Sequence, residues 1–344
     1  MEGTVLPALP LSLDSSRSFD EENQRLLTNY YIQSGAGGIA AAVHSTQFEI
    51  RLPEHNLFER VLKLTSEVID QARLDRPFVK IAGICGHVDQ AVREANIAVE
   101  LGYDMGLLSM GGLQGLTEQQ ILDRTAAVAK IIPVFGFYLQ PSVGGRVFSY
   151  DFWSKFVEIE NVEAIKCASF NRYQTLDVVR AIAFSSRRHE IALYTGNDDN
   201  IVQDLLAIYR FQIGGEEVKL EFKGGLLGHW AVWTHKAVEL LVKIKDYKRN
   251  PSYEKWVELQ VISNQTTDVN AALFDPANDF HGCIPGIHEV LRRQGLMKGI
   301  WCLNPDEILS PGQYEEISRI YEAYPKLNDD KFVDGFLESY EIGV

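Results

Sequence analysis

The chain has 344 residues, 46% hydrophobic and 23% charged, a balance that excludes a disordered polymer, and a length that suits one α/β barrel of about 250 residues plus an appendage. With 33 Lys and Arg against 47 Asp and Glu the formal charge is -14, which repels phosphate backbones and argues against a nucleic-acid partner. Cys85, Cys167, Cys283 and Cys302 are widely spaced, without the pairing of a zinc knuckle or a disulfide framework.

The N-terminal stretch carries Glu2 in place of a basic segment and is broken by Pro7 and Pro10, so it reads poorly as a signal peptide. No apolar run approaches the roughly 20 residues of a bilayer span. The expectation is a cytoplasmic protein with no membrane partner.

Along the chain, short apolar or β-branched runs alternate with helix-period segments, the pattern of βαβ units around a parallel sheet. Eight candidate strands cover Val5–Leu9, Gly38–Val43, Phe78–Cys85, Met105–Ser109, Pro133–Leu139, Val162–Ala168, Ile191–Thr195 and Gly225–Gly228. Eight such units predict a closed (β/α)8 (TIM) barrel.

Helical stretches are expected at Asp20–Ser34, Pro53–Ala72, His87–Leu101, Thr117–Lys130 and Asn200–Arg210. Thr117 followed by Gln120 fits a capping box. The letters Gly35-Ala36-Gly37-Gly38-Ile39-Ala40 imitate a dinucleotide fingerprint, but they follow a helix and precede a strand, the reverse of what pyrophosphate binding needs, and they read as a turn.

After about Asp246 helical segments dominate, at Tyr253–Ser263, Gly286–Gln294 and Gln313–Tyr324. The expected organisation is a barrel over 1–246 and a helical C-terminal appendage over 247–344. The last stretch, with Asp329, Asp330, Asp334 and Glu338, reads as a solvated helix or a mobile tail.

In a barrel, reactive groups belong at the C-terminal ends of strands. Lys166, inside the apolar run Val162-Glu-Ala-Ile-Lys-Cys-Ala168, is the most informative residue, because lysine is seldom buried without a reason. Strand alternation puts Ala164 and Ala168 on its face and Ile165 and Cys167 on the other. An apolar pocket disfavours the ammonium and frees amine to attack a carbonyl. A lysine ending an edge-like segment and reaching out to water is the plainer reading.

On the fifth strand the same alternation turns Gly136 and Tyr138 inward and Phe135 and Phe137 outward. With strands about 4.8 Å apart, Tyr138 and Lys166 can then serve one reacting centre.

These residues carry a family resemblance. Ser45-Thr46, Tyr138-Leu139-Gln140-Pro141 and Ile165-Lys166-Cys167-Ala168 resemble, respectively, the second-strand loop, the Tyr-Asn-x-Pro motif and the Ile-Lys-Glu-Ala motif of the dihydrodipicolinate synthase and N-acetylneuraminate lyase superfamily. Those are class I aldolase-type enzymes that form Schiff bases. Ile81-Ala82-Gly83, Thr195-Gly196-Asn197-Asp198 and Gly224-Gly225-Leu226-Leu227 match in order as well, as does the separation of 28 positions between Tyr138 and Lys166.

The resemblance implies a lyase, of aldolase or dehydratase/synthase type, acting on pyruvate or another 2-oxo acid without a cofactor. Lys166 would be the nucleophile and Tyr138 the proton shuttle, with Ser45, Thr46, Gly196, Asn197 and Leu227 binding substrate. It also implies a homo-oligomer, a dimer or tetramer. Two departures stand out. Where the synthases carry Pro-Tyr-Tyr after the fourth strand, this chain reads Leu108-Ser109-Met110-Gly111-Gly112, and Val143 replaces an arginine, with Arg146 close by. They point away from dihydrodipicolinate synthesis and toward another 2-oxo acid.

Two alternatives remain open. His44, His87 and His229 follow candidate strands two, three and eight, where a metal-dependent barrel aldolase or hydrolase would place ligands, with Glu49 as a further donor. His281, Cys283 and His288 lie in the appendage and read as packing or capping residues. The lost tyrosine also allows a catalytically silent member that binds a small acid.

Overall fold

The computed structural model describes residues 3–342. Its strands are β1 (Val5–Pro7), β2 (Gly38–Ala41), β3 (Val79–Ile84), β4 (Met105–Ser109), β5 (Val134–Leu139), β6 (Val162–Ala168), β7 (Ala192–Thr195), β8 (Tyr209–Ile213), β9 (Glu216–Leu220) and β10 (Gly224–Leu227). Eight of them form one sheet in the order β1-β10-β7-β6-β5-β4-β3-β2, and β8 pairs only with β9. The fold is a (β/α)8 barrel with a C-terminal helical region, and each expected strand is present.

By internal contacts the chain divides into two compact units, one over Lys80–Leu226 and one joining Thr4–Val79 to the residues from Leu227 onward.

In the first unit, β3 to β7 and then β10 run parallel in consecutive pairs. Helices Val88–Glu100, Glu118–Ala129, Tyr150–Phe156, Arg172–Phe184 and Ile201–Leu206 occupy the connections. The sequence dictates their starts. Thr117 and Gln120 form the expected capping box, and the Asn171 side chain accepts from the N–H groups of Tyr173 and Gln174, satisfying donors that a helix start leaves open.

The helix expected over Asn200–Arg210 is shorter. It stops at Leu206, and the chain turns into the β8–β9 antiparallel hairpin. Gly214 and Gly215 adopt φ of 61° and 88°, the left-handed pair that a tight two-residue hairpin needs. Alternation in Tyr209–Ile213 was hidden by the helix-period residues preceding it.

The second unit holds β1 and β2, bridged in parallel through Ala8 and Ala40, and helices Glu21–Gln33, Phe58–Gln71, Thr234–Arg249, Tyr253–Phe274, Cys283–Arg293, Gln313–Ala323 and Asp330–Ile342. The glycine run before β2 is a turn, with Gly35 at φ 88°.

The acidic C-terminal stretch is a helix, and Asp329 just ahead of it is buried rather than solvated. Its carboxylate accepts from Tyr30 Oη at 2.8 Å, the His235 N–H at 3.1 Å and Gln294 Nε2 at 2.8 Å. A buried charge persists only when hydrogen-bonded in this way. Asp329→Ala leaves three donors without that acceptor, two of them buried, and is expected to lower stability by about 3 kcal/mol, read as a shifted urea midpoint at unchanged m-value.

Candidate active site

The site is built on β5, β6 and β7, all within the first unit. Val134 pairs with Val162, but the next step pairs Phe135 with Ala164, so the β6 strand carries one extra residue, the exposed Glu163, at a bulge. Before the bulge partners lie 28 positions apart, and after it 29. A one-residue slip reverses which side chains share a face. Lys166 is therefore in register with Phe137 on one side and Tyr194 on the other, while Tyr138 is in register with Cys167.

This corrects the expectation for the fifth strand. Gly136 and Tyr138 face the helical layer, and Phe135 and Phe137 face the side that Lys166 occupies. A Cβ at Gly136 would lie 2.7 Å from the Phe156 ring. The Tyr138 ring packs against Trp153 at 4.9 Å and Phe148 at 6.0 Å between centroids. Its hydroxyl accepts from the Phe148 N–H at 3.4 Å, and burial pushes its pKa up to about 12. The separation of 28 positions suited Lys166 only for an unbroken ladder, so Tyr138 is not placed as its proton shuttle.

The reading of β6 holds. Lys166 is 8% exposed, and its Nζ stands 4.3 Å from the centroid of the Phe137 ring, a face that stabilises a cation. Ala164 and Ala168 are small neighbours on the same face. Gly196 closes over the lysine stem, since a Cβ there would meet Lys166 Cε at 2.4 Å and Cγ at 2.9 Å. Burial lowers the Lys166 pKa to about 8, and the Asp198 carboxylate works in the opposite direction. At neutral pH roughly a tenth of the group is then free amine, against well under a thousandth for an exposed lysine.

Asn197, expected to bind substrate, is fully buried and clamps the loop. Its Oδ1 accepts from the Phe170 N–H at 2.9 Å and its Nδ2 donates to Asp204 at 2.8 Å. Buried Asp204 also accepts from Thr195 Oγ1 at 2.6 Å and Asn200 Nδ2 at 3.1 Å, and pairs with Arg172. Asp198 is thus held between a glycine fitted to the lysine and a loop tied to a buried carboxylate.

Ser45, Thr46 and Leu227 belong to the second unit. Both hydroxyls turn to the main chain: Ser45 Oγ donates to the Leu9 carbonyl at 3.3 Å, and Thr46 Oγ1 to the same oxygen at 2.6 Å. Leu227 is a buried residue at the end of β10. Sequence reasoning passed over Phe137, Tyr194 and Asp204. The signal available was the polar run Asn197-Asp198-Asp199-Asn200 directly after a strand, with Asp204 one helical turn beyond Asn200.

Comparison with solved structures places this geometry in a known architecture. CdNal from Clostridium difficile, solved with mannosamine, matches at a TM-score of 0.73 and 16% identity, over 94% of this chain and 99% of that one. Dihydrodipicolinate synthase from Oceanobacillus iheyensis matches at 0.73 and 16%, over 93% and 96%. N-acetylneuraminate lyase from Fusobacterium nucleatum matches at 0.71 and 16%, over 94% and 99%. The chain has their fold. No protein-family model matches the sequence, and no curated protein matches it.

Among the described residues no three His, Cys, Asp or Glu side chains gather to hold an ion. The His44 ring lies tilted against that of Phe48 at 5.9 Å between centroids, His87 precedes the helix Val88–Glu100 at the surface, and His229 is half-buried, its pKa pulled down to about 4 by desolvation. His288 is buried, with its pKa also near 4, inside the helix Cys283–Arg293 that Cys283 begins. No described helix is long and apolar enough to cross a membrane.

The depressed Lys166 pKa carries a stability consequence. Between about 8 and 10.5 the unfolded chain holds this proton and the folded chain releases it, so the penalty for burying the charge is full below 8 and fades as pH rises through 10.5. Lys166→Met is expected to unfold at a higher temperature than wild type at pH 7, with the gap narrowing toward pH 10.5. Paired thermal melts across that range measure it.

Proposed function

We propose that this chain is a class I aldolase-type lyase in which Lys166 forms an imine with pyruvate or another 2-oxo acid. The observation that carries the reading is a lysine 8% exposed, on the sixth strand of a (β/α)8 barrel, with its pKa lowered to about 8. Such an amine is nucleophilic near neutral pH, and the protonated imine it forms draws electrons from the adjacent carbon when a C–C or C–O bond breaks. The likeness in fold to a lyase and a synthase supports the same assignment.

Small, uncharged neighbours suit this chemistry. Ala164, Ala168 and Gly196 leave the lysine face uncrowded, and the Phe137 ring keeps water from one side of the amine without supplying a competing proton. The strongly negative chain favours a small acid held by local donors over any polyanion.

Incubation with pyruvate and borohydride should add one reduced pyruvyl group to the wild-type chain, located on Lys166 by peptide mass spectrometry and missing from Lys166→Ala. A panel of 2-oxo acids run in the same way ranks the substrate. An adduct that persists in Lys166→Ala, or a wild-type chain that traps none of the panel, rules the reading out.

A further inference from the structure

With Tyr138 turned toward Trp153, the Schiff-base reading lacks a group to move protons. We propose that Asp198 does this work, carrying protons between Lys166 and the oxygen of the bound 2-oxo acid. The inference rests on the imine reading above and goes beyond it by naming the acid–base residue.

Three observations converge on Asp198. Lys166 rises along β7, its Cγ and Cε lying against Gly196, so its amine heads for the loop that Asp198 belongs to, two residues further on. The charge of the Asp198 carboxylate bears on Lys166 and favours its ammonium form. The loop is also held in place on both sides of Asp198: Asn197 is tied to the Phe170 N–H and to Asp204, and Asn200 to Asp204. A carboxylate fixed in this way keeps one geometry through a proton transfer. Being half-buried, it can also exchange its proton with solvent between turnovers.

Tyr194, the other polar neighbour in register, suits the role less well. It is fully buried and packs edge-on against Phe135 at 5.3 Å. Phe135 is paired with Ala164, two residues N-terminal of Lys166, so the ring lies beneath the amine, away from the strand ends where substrate enters.

Asp198 takes one proton from the Lys166 ammonium, and the amine adds to the carbonyl carbon. A second nitrogen proton passes to the carbinolamine oxygen, and Asp198 returns the first to the same atom. The oxygen leaves as water, the nitrogen lone pair closes the C=N bond, and the imine nitrogen keeps the third proton and the positive charge.

The test is the rate of reductive trapping by cyanoborohydride at saturating pyruvate, with thermal melts as the control for folding. Asp198→Asn is expected to trap about a hundredfold more slowly while reaching the wild-type extent on Lys166, with Asp198→Glu recovering part of the rate and Tyr138→Phe trapping at the wild-type rate. Asp198→Asn trapping as fast as wild type, or Tyr138→Phe slowing as much as Asp198→Asn, overturns the inference and leaves the imine reading standing. A folded wild-type chain that traps no pyruvate removes both.

Discussion

Keeping a primary amine out of water is the demand around which this half of the molecule is arranged. A lysine in an apolar setting resists holding its charge, and each neighbour of Lys166 answers that resistance differently. The Phe137 ring offers a negative face, Asp198 offers opposite charge, and Gly196 and the two alanines withhold bulk. The result lies between extremes, a group that is mostly charged at neutral pH and in part neutral. Without Asp198 it would rest further from its ordinary titration range.

The bulge at Glu163 decides which residues can share that amine. One additional backbone unit in β6 moves every later pairing with β5 by one position and so exchanges inside for outside. Tyr138 and Lys166, matched in sequence spacing, end on opposite faces of the sheet. The aromatic cluster of Tyr138, Phe148, Phe152 and Trp153 becomes packing between strand and helix, a use that suits a phenol whose hydroxyl is taken by a main-chain N–H.

What could be read from the amino acids follows from how locally each feature is determined. Strand and helix alternation depends on residues within a few positions of one another, so the eight strands and the Thr117 cap emerged directly. The burial of Lys166 followed from its apolar neighbours on the same strand. The relation of one strand to the next depends on a single inserted unit, and Glu163 carries no turn residue, glycine or proline to announce it. The buried role of Asp329 was equally unreadable, because its partners Tyr30, His235 and Gln294 come from three distant helical segments. The β8–β9 hairpin was legible in principle from Gly214-Gly215, but the preceding helical rhythm masked it.

Gly196 has an effect on the lysine that outlasts its own smallness. Lying flush along the aliphatic stem, it leaves Lys166 few rotamers to explore. A long flexible side chain ordinarily surrenders that freedom each time it engages a partner, at a cost of up to about 2 kcal/mol. Here the surrender happens once, while the chain folds.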